Sequence, residues 1–153
     1  MPHSKETLNR MAEEIFELYK LVAAARSRLP SGPDDVSESE FITLDLLAKE
    51  EPLTIGEVQK RIGVVPAQMS RIVRSLEEQG GKGYVECRIN AEDRRRIDLC
   101  LTPAGKKVHE SFRTVRLGSM HRVLEALCVE DRVHLLRIVG QLRTAFEEAS
   151  PKS

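Results

Sequence analysis

The chain has 153 residues, of which 41% are hydrophobic, 31% charged and 4% aromatic, with no Trp. That length buries one core of ordinary size and is short for two, and the composition suits a surface-rich helical protein better than a β-sandwich or a large pocketed enzyme. Net charge is zero and excludes a strongly basic chain, yet the segment 54–107 holds eleven Lys or Arg against seven Asp or Glu, so the middle is basic and the ends acidic.

Leu8, Met11, Ile15, Leu18 and Val22 recur at three- and four-residue steps, which predicts a long amphipathic helix from Lys5 to about Arg28. The stretch Leu29 to Asp35 contains Pro30, Ser31, Gly32, Pro33 and Asp34 and is predicted to be a loop. Ser37 and Glu40 form a capping-box pattern ahead of Phe41, Ile42, Leu44, Leu46 and Leu47, giving a second helix to about Lys49. Thr54 and Glu57 repeat that pattern for a short helix, Ile55 to Arg61, closed by Gly63. Pro66 suits the first turn of the next helix, which carries Met69, Ile72, Val73 and Leu76 on one side and Gln68, Arg71, Arg74 and Ser75 on the other. Two helices joined by a tight Gly-containing turn make a helix-turn-helix pattern.

Past Gly83 the period changes to two. Val85, Cys87 and Ile89 alternate with Tyr84, Glu86 and Arg88, and Ile97, Leu99 and Leu101 alternate with Arg96, Asp98 and Cys100, which predicts a β-hairpin with one apolar face. Its connection, Asn90 to Arg95, is polar and basic, as a wing lying along a phosphate backbone requires. Thr102 and Pro103 start a further helix, with a bend or loosening expected at Gly118, and Glu130 to Ala149 reads as the last. The expected fold is therefore mainly α with a small β-hairpin: a winged helix-turn-helix with terminal helices forming a dimerisation region. The chain reads as a single domain, 1–153, with residues 37–105 as the DNA-binding region and 5–30 and 106–149 as dimerisation helices. The spare apolar faces of those helices call for a partner, and a second copy is the simplest one.

On the helix opened by Pro66, the residues near the N-terminal end, Ala67, Gln68, Ser70 and Arg71, are expected to project toward base edges, with Arg74 one turn later toward base or phosphate. Gln suits adenine and Arg suits guanine through paired hydrogen bonds. Arg94, Arg95 and Arg96 form a run at the hairpin tip, where like charges repel unless an anion is near.

The string from Arg88 to Gly105 resembles the wing signature of the multiple-antibiotic-resistance regulator (MarR) family, with Asp93 and Arg95 as one pair and Leu101, Thr102 and Gly105 as the helix start that follows. Ser70, Arg71, Val73, Leu76 and Glu77 match the family's recognition-helix pattern, and the resemblance extends over nearly the whole chain. It implies a homodimer that sets two winged modules on successive major grooves of a pseudo-palindromic double-stranded operator, as a repressor. It also implies that Arg95, held by Asp93 and flanked by Arg94, enters the minor groove, where a narrow groove concentrates negative potential. Members of the family commonly lose DNA affinity when a small aromatic effector binds between the dimerisation and DNA-binding regions, which points here to Phe16, Tyr19, Phe41 and Leu44. One departure is the run Gly80, Gly81, Lys82 and Gly83 before Tyr84, longer by three residues than the family's usual single Gly.

Cys87, Cys100 and Cys128 have no metal-ligand spacing, and their odd number argues against a disulfide framework. Alternation puts Cys87 and Cys100 on opposite faces, and Cys128 is expected to be a buried packing residue. The four histidines read as surface or interface residues, so no metal or cofactor is expected, and no catalytic motif is found. No run of eighteen apolar residues and no signal-peptide core exists, so the expected setting is the cytoplasm, without a membrane partner. Two readings stay open: an effector-responsive DNA-binding regulator, and an architectural or interaction protein that keeps the winged fold for protein contact or for non-specific DNA coating.

Overall fold

Helix boundaries follow the side chains that cap them. The computed structural model describes residues 4–27, 36–81 and 83–149, so the expected loop from Leu29 to Asp35 lies outside the described residues. Helix α1, Lys5–Ser27, belongs to one unit, and the elements from Val36 onward form another. Along α1, Leu8, Met11, Ile15 and Leu18 are all exposed.

In the second unit, α2 spans Glu38–Lys49 and opens on Ser37, whose Oγ accepts from the Glu40 amide while the Glu40 carboxylate accepts from the Ser37 amide at 2.6 Å. Helix α3, Ile55–Ile62, repeats the device: the Thr54 amide donates to Glu57 at 2.8 Å, and the Glu57 amide donates to Thr54 Oγ1 at 3.2 Å. Each box satisfies amides that a first helical turn leaves without partners, a stabilisation of about 1 kcal/mol. Helix α4, Pro66–Glu78, has proline at its first position. Helix α5, Pro103–Glu125, starts on Thr102, whose Oγ1 accepts from the Gly105 amide at 3.0 Å, and continues as one helix through Gly118.

Helix α6, Val129–Ala149, has a sulfur cap. The Cys128 thiol donates to the Asp131 carboxylate at 3.2 Å, and its sulfur accepts from the Asp131 amide at 3.4 Å. Cys128 is exposed, which corrects the expectation of a packing role: it takes the place of a Ser at the helix start.

The sheet has three antiparallel strands in the order β1 (Leu53–Thr54), β3 (Ile97–Leu101), β2 (Val85–Ile89). The hairpin is the expected one, whereas β1 was not visible in the sequence because two residues show no period. Leu99 lies at its centre, opposite Leu53 on one side and Cys87 on the other. The apolar face is buried only at the end nearest the helices. Val85, Leu99 and Leu101 are in the core, but Ile89 and Ile97, which pair across the strands, are 72% and 47% exposed. The hairpin outruns the layer that covers it, so alternation persists where burial does not.

The core joins Leu44 and Leu47 of α2, Val58 of α3, Met69, Ile72, Val73 and Leu76 of α4, and Leu53, Tyr84, Val85, Leu99 and Leu101 around the sheet. Full burial of a Leu contributes on the order of 1.5–3 kcal/mol, so this cluster fixes α4 against the sheet. Two glycines let backbones meet. A Cβ on Gly105 would lie 2.0 Å from the Tyr84 carbonyl oxygen, which explains why the α5 start requires glycine there. Gly83 has a φ of 68°, and a Cβ on it would lie 2.6 Å from the Glu77 carbonyl oxygen.

Candidate nucleic-acid interface

Two helices, a tight turn and a hairpin build the surface. Gly63 closes α3, and the chain passes through Val64 and Val65 into α4. With Met69, Ile72, Val73 and Leu76 committed to the core, the opposite side of α4 presents Ala67, Gln68, Ser70, Arg71 and Arg74, all exposed. The Ser70 hydroxyl donates to the Pro66 carbonyl at 3.1 Å, so what it offers outward is an acceptor.

The connection from Asn90 to Arg96 is held by short polar side chains. Asn90 Oδ1 accepts from the Glu92 and Asp93 amides at 3.0 and 2.9 Å, and Asn90 Nδ2 donates to both Asp98 oxygens at 2.9 and 3.0 Å. Asp93 Oδ1 then accepts from the Arg95 amide at 3.0 Å, and the Arg96 amide donates to the Asp93 carbonyl at 2.9 Å. Asp93 therefore acts on the backbone of Arg95 rather than on its guanidinium. The pairing implied by the resemblance is corrected in that detail, because the two-residue separation brings the carboxylate to the amide first. Asn90 and Asp98 do structural work at this tip that the sequence reading missed. The Asn at the turn start was a usable signal, but Asp98 becomes a partner only through strand register.

Several basic side chains elsewhere in the second unit are paired with carboxylates. Arg61 pairs with Glu50 at 2.8 Å, Arg88 with Glu86, and Arg116 with Glu38 at 2.9 Å. Among the described residues, Arg71, Arg74, Arg94 and Arg95 have no carboxylate within ion-pair distance and are exposed. Exposed cationic side chains on the outward side of a helix and at a wing tip, with no carboxylate in ion-pair contact with their guanidinium groups among the described residues, suit a polyanion.

The Gly80 to Gly83 run is absorbed by a 3-10 turn, Gln79–Gly81, followed by a return to α4: the Gly83 amide donates to Gln79 O at 3.0 Å and the Tyr84 amide to Leu76 O at 2.6 Å. Lys82 lies outside the described residues.

The four residues expected to meet an effector fall on two helices. Phe16 and Tyr19 stack on α1 with ring centroids 6.5 Å apart. On α2, Leu44 is fully buried in the core, and Phe41 is flanked by His109, Phe112 and Arg116 of α5, the guanidinium lying 3.9 Å from the ring centre. Around Phe41, α2 and α5 interlock through Glu38–Arg116 at one end and Asp45–His109 at the other, where His109 Nε2 and Asp45 Oδ1 are 2.9 Å apart. His109 is only 7% exposed, so it is buried within the chain and not at the surface or interface position expected of the histidines; its partner lies 64 positions away and leaves no local trace in sequence. Partial burial raises the Asp45 carboxyl, but hydrogen bonds from Lys49 and His109, reinforced by their charges, outweigh it and hold Asp45 below the usual carboxylate range.

The strand cysteines lie on opposite faces, Cys87 opposite Leu99 and Cys100 opposite Glu86. Burial of its sulfur and a hydrogen bond with Glu77 push the Cys87 thiol up to about 12, although the residue as a whole is exposed; burial also raises Cys100. Neither is a ready thiolate at neutral pH. Among the described residues no group of His, Cys, Asp or Glu is arranged to hold a metal ion, and no helix is long and apolar enough to cross a membrane.

A helix-turn-helix followed at once by a pinned β-hairpin with an arginine tip defines the winged helix-turn-helix class. A family model described as MarR family matches residues 36–97. The chain is 30% identical over 112 residues, 73% of its length, to the HTH-type transcriptional repressor MdtR of Bacillus subtilis (strain 168), and covers 70% of that protein. It superposes on Streptococcus pneumoniae FabT, solved in complex with DNA, with a TM-score of 0.77 at 20% identity, covering 92% of this chain and 98% of that one. It also superposes on Bordetella bronchiseptica BpsR, whose DNA binding is regulated by 6-hydroxynicotinic acid, with a TM-score of 0.65 at 16% identity, covering 94% and 97%. The chain belongs to the MarR family of HTH-type transcription regulators.

Proposed function

We propose that this chain acts in the cytoplasm as a homodimeric repressor that binds a pseudo-palindromic stretch of double-stranded DNA. In this reading residues 37–105 form its DNA-binding region, and the segments 5–30 and 106–149 its dimerisation region. The observation that carries the reading is the set of exposed, unpaired arginines shared by α4 and the wing, Arg71, Arg74, Arg94 and Arg95. In this reading α4 enters the major groove with Ala67, Gln68, Ser70 and Arg71 at base edges, and Arg74 contacts base or phosphate. The wing lies on the adjacent backbone, Asp93 setting the turn and Arg94 and Arg95 reaching the minor groove. Release of the DNA by a small aromatic effector belongs to the same reading, and the effector regulation of BpsR supports it.

A gel-shift titration with the DNA flanking the chain's own gene, against a random duplex of equal length, tests this. Tight binding to one segment, with Arg71→Ala weakening it by about 1–3 kcal/mol, is the expected outcome. Equal binding to random duplex would favour the architectural reading instead.

A further inference from the structure

The corner between α5 and α6 has no core beneath it. Past His109 neither helix buries a residue within the chain, and only Ala126, Leu127 and Cys128 separate the two. Packing therefore does not set the angle at this corner. One side chain spans it: Arg132, at the end of the first turn of α6, donates from Nε to the Leu124 carbonyl at 3.1 Å and from Nη2 to the Glu125 carbonyl at 2.7 Å. The last turn of a helix leaves such carbonyls without helical partners, and no glycine closes α5 to satisfy them. The choice costs α6 something, because a cation near a helix N-terminus opposes the dipole that Glu130 and Asp131 favour. Arg132 thus serves the end of α5 rather than the helix it belongs to, and its planar fork holds both carbonyls in one orientation.

We propose that Arg132 is a positioning residue: by clamping the α5–α6 corner it fixes the separation of the two winged modules in the dimer, and so the half-site spacing that the protein accepts. This rests on the reading of the chain as a homodimer on a pseudo-palindrome, in which α6 carries the contact between copies and α5 leads from it to the sheet. Lever length explains why one corner matters. Helix α5 has 23 residues, about 35 Å at the helical rise, so a swing of about 10° at its C-terminal end moves the other end by about 6 Å. That is nearly two base-pair steps of about 3.4 Å each. Arg132 lies on neither α4 nor the wing, so it acts on DNA reading only through where those elements are held.

The test begins with the full chain and a pool of random duplexes, from which the preferred site is selected. Affinity is then measured for that site and for versions with one or two base pairs added or removed at the dyad. Wild type, Arg132→Ala and Arg132→Lys are compared, with the mass of each followed by sedimentation. For the wild type, a change of two base pairs is expected to cost at least about a hundredfold, part of the advantage a specific site holds over random sequence. Arg132→Ala should still sediment as a dimer but lose about tenfold or less over the same change, and Arg132→Lys, which can reach one carbonyl but lacks the fork, should fall between. A wild type that selects no site, or that ignores spacing, defeats the homodimer reading and this assignment with it. A dimeric Arg132→Ala as strict about spacing as the wild type overturns the assignment alone, even if it binds more weakly at every spacing, as a lost phosphate contact would make it. So does an Arg132→Ala that sediments as a monomer, since Arg132 would then belong to the contact between copies.

Discussion

Single residues in this chain are constrained most where two backbones touch or a charge is held. Gly105 is one: with the Tyr84 carbonyl 2.0 Å from where a Cβ would stand, Gly105→Ala must push α5 away from the sheet. A loss of about 2–3 kcal/mol is expected, measured as a lower urea midpoint at fixed protein concentration. Asp45 gives a pH signature. Its folded pKa is lowered, so its contribution to stability is complete above the ordinary carboxyl value of 3.8 and fades as the pH falls through the folded value. A series of Tm measurements from pH 7 down to about pH 3 should show a shallower acid limb for Asp45→Asn than for the wild type. Parallel limbs would show that the Asp45–Lys49–His109 contacts contribute no pH-dependent stability. His109 was invisible as a buried partner because its burial and its acceptor both come from α2, far away in sequence.

At the scale of elements, the sequence announced what local chemistry decides. The boxes at Ser37–Glu40 and Thr54–Glu57, Pro66 at the start of α4 and Thr102–Pro103 at the start of α5 all operate within one helical turn, so four residues suffice to read them. The three-residue extension before Tyr84 was visible, but its accommodation in a 3-10 turn hydrogen-bonded back to α4 depends on the folded position of Leu76 and Gln79. Strand β1 and the exposed outer half of the hairpin were not legible either. Register and cover are set by Leu99, Leu53 and α4 together, not by the period of any one strand. The outward exposure of Ala67, Gln68, Ser70, Arg71 and Arg74 follows from the helical period of α4 and was legible in the sequence. The Asn90–Asp98 pin and the contact from Asp93 to the Arg95 amide required the folded turn. If that wing lies on DNA, Arg95→Ala should lower the slope of log affinity against log salt by about one phosphate contact, read from binding isotherms at several salt concentrations. An unchanged slope would place the wing off the backbone.

Over the whole molecule, the apolar stripe of α6 carries the strongest claim for a second copy. Val129, Val133, Leu136, Val139, Leu142 and Phe146 recur at three- and four-residue steps, all are exposed, and α6 buries no residue within the chain. Leu136→Glu is expected to shift the sedimenting species from dimer toward monomer, and an unchanged dimer mass would place the contact elsewhere. Dimerisation and sequence reading meet in the spacing of half-sites, since a rigid dimer demands two half-sites about one helical turn apart. The most direct measurement is a binding titration of three duplexes: the selected site, the same site with about half a helical turn of DNA inserted at its dyad, and a scrambled control. The intact site should bind at least about a thousandfold more tightly than the control at physiological salt, with the insertion removing most of that advantage. Equal affinity for all three would contradict a homodimer reading a pseudo-palindrome.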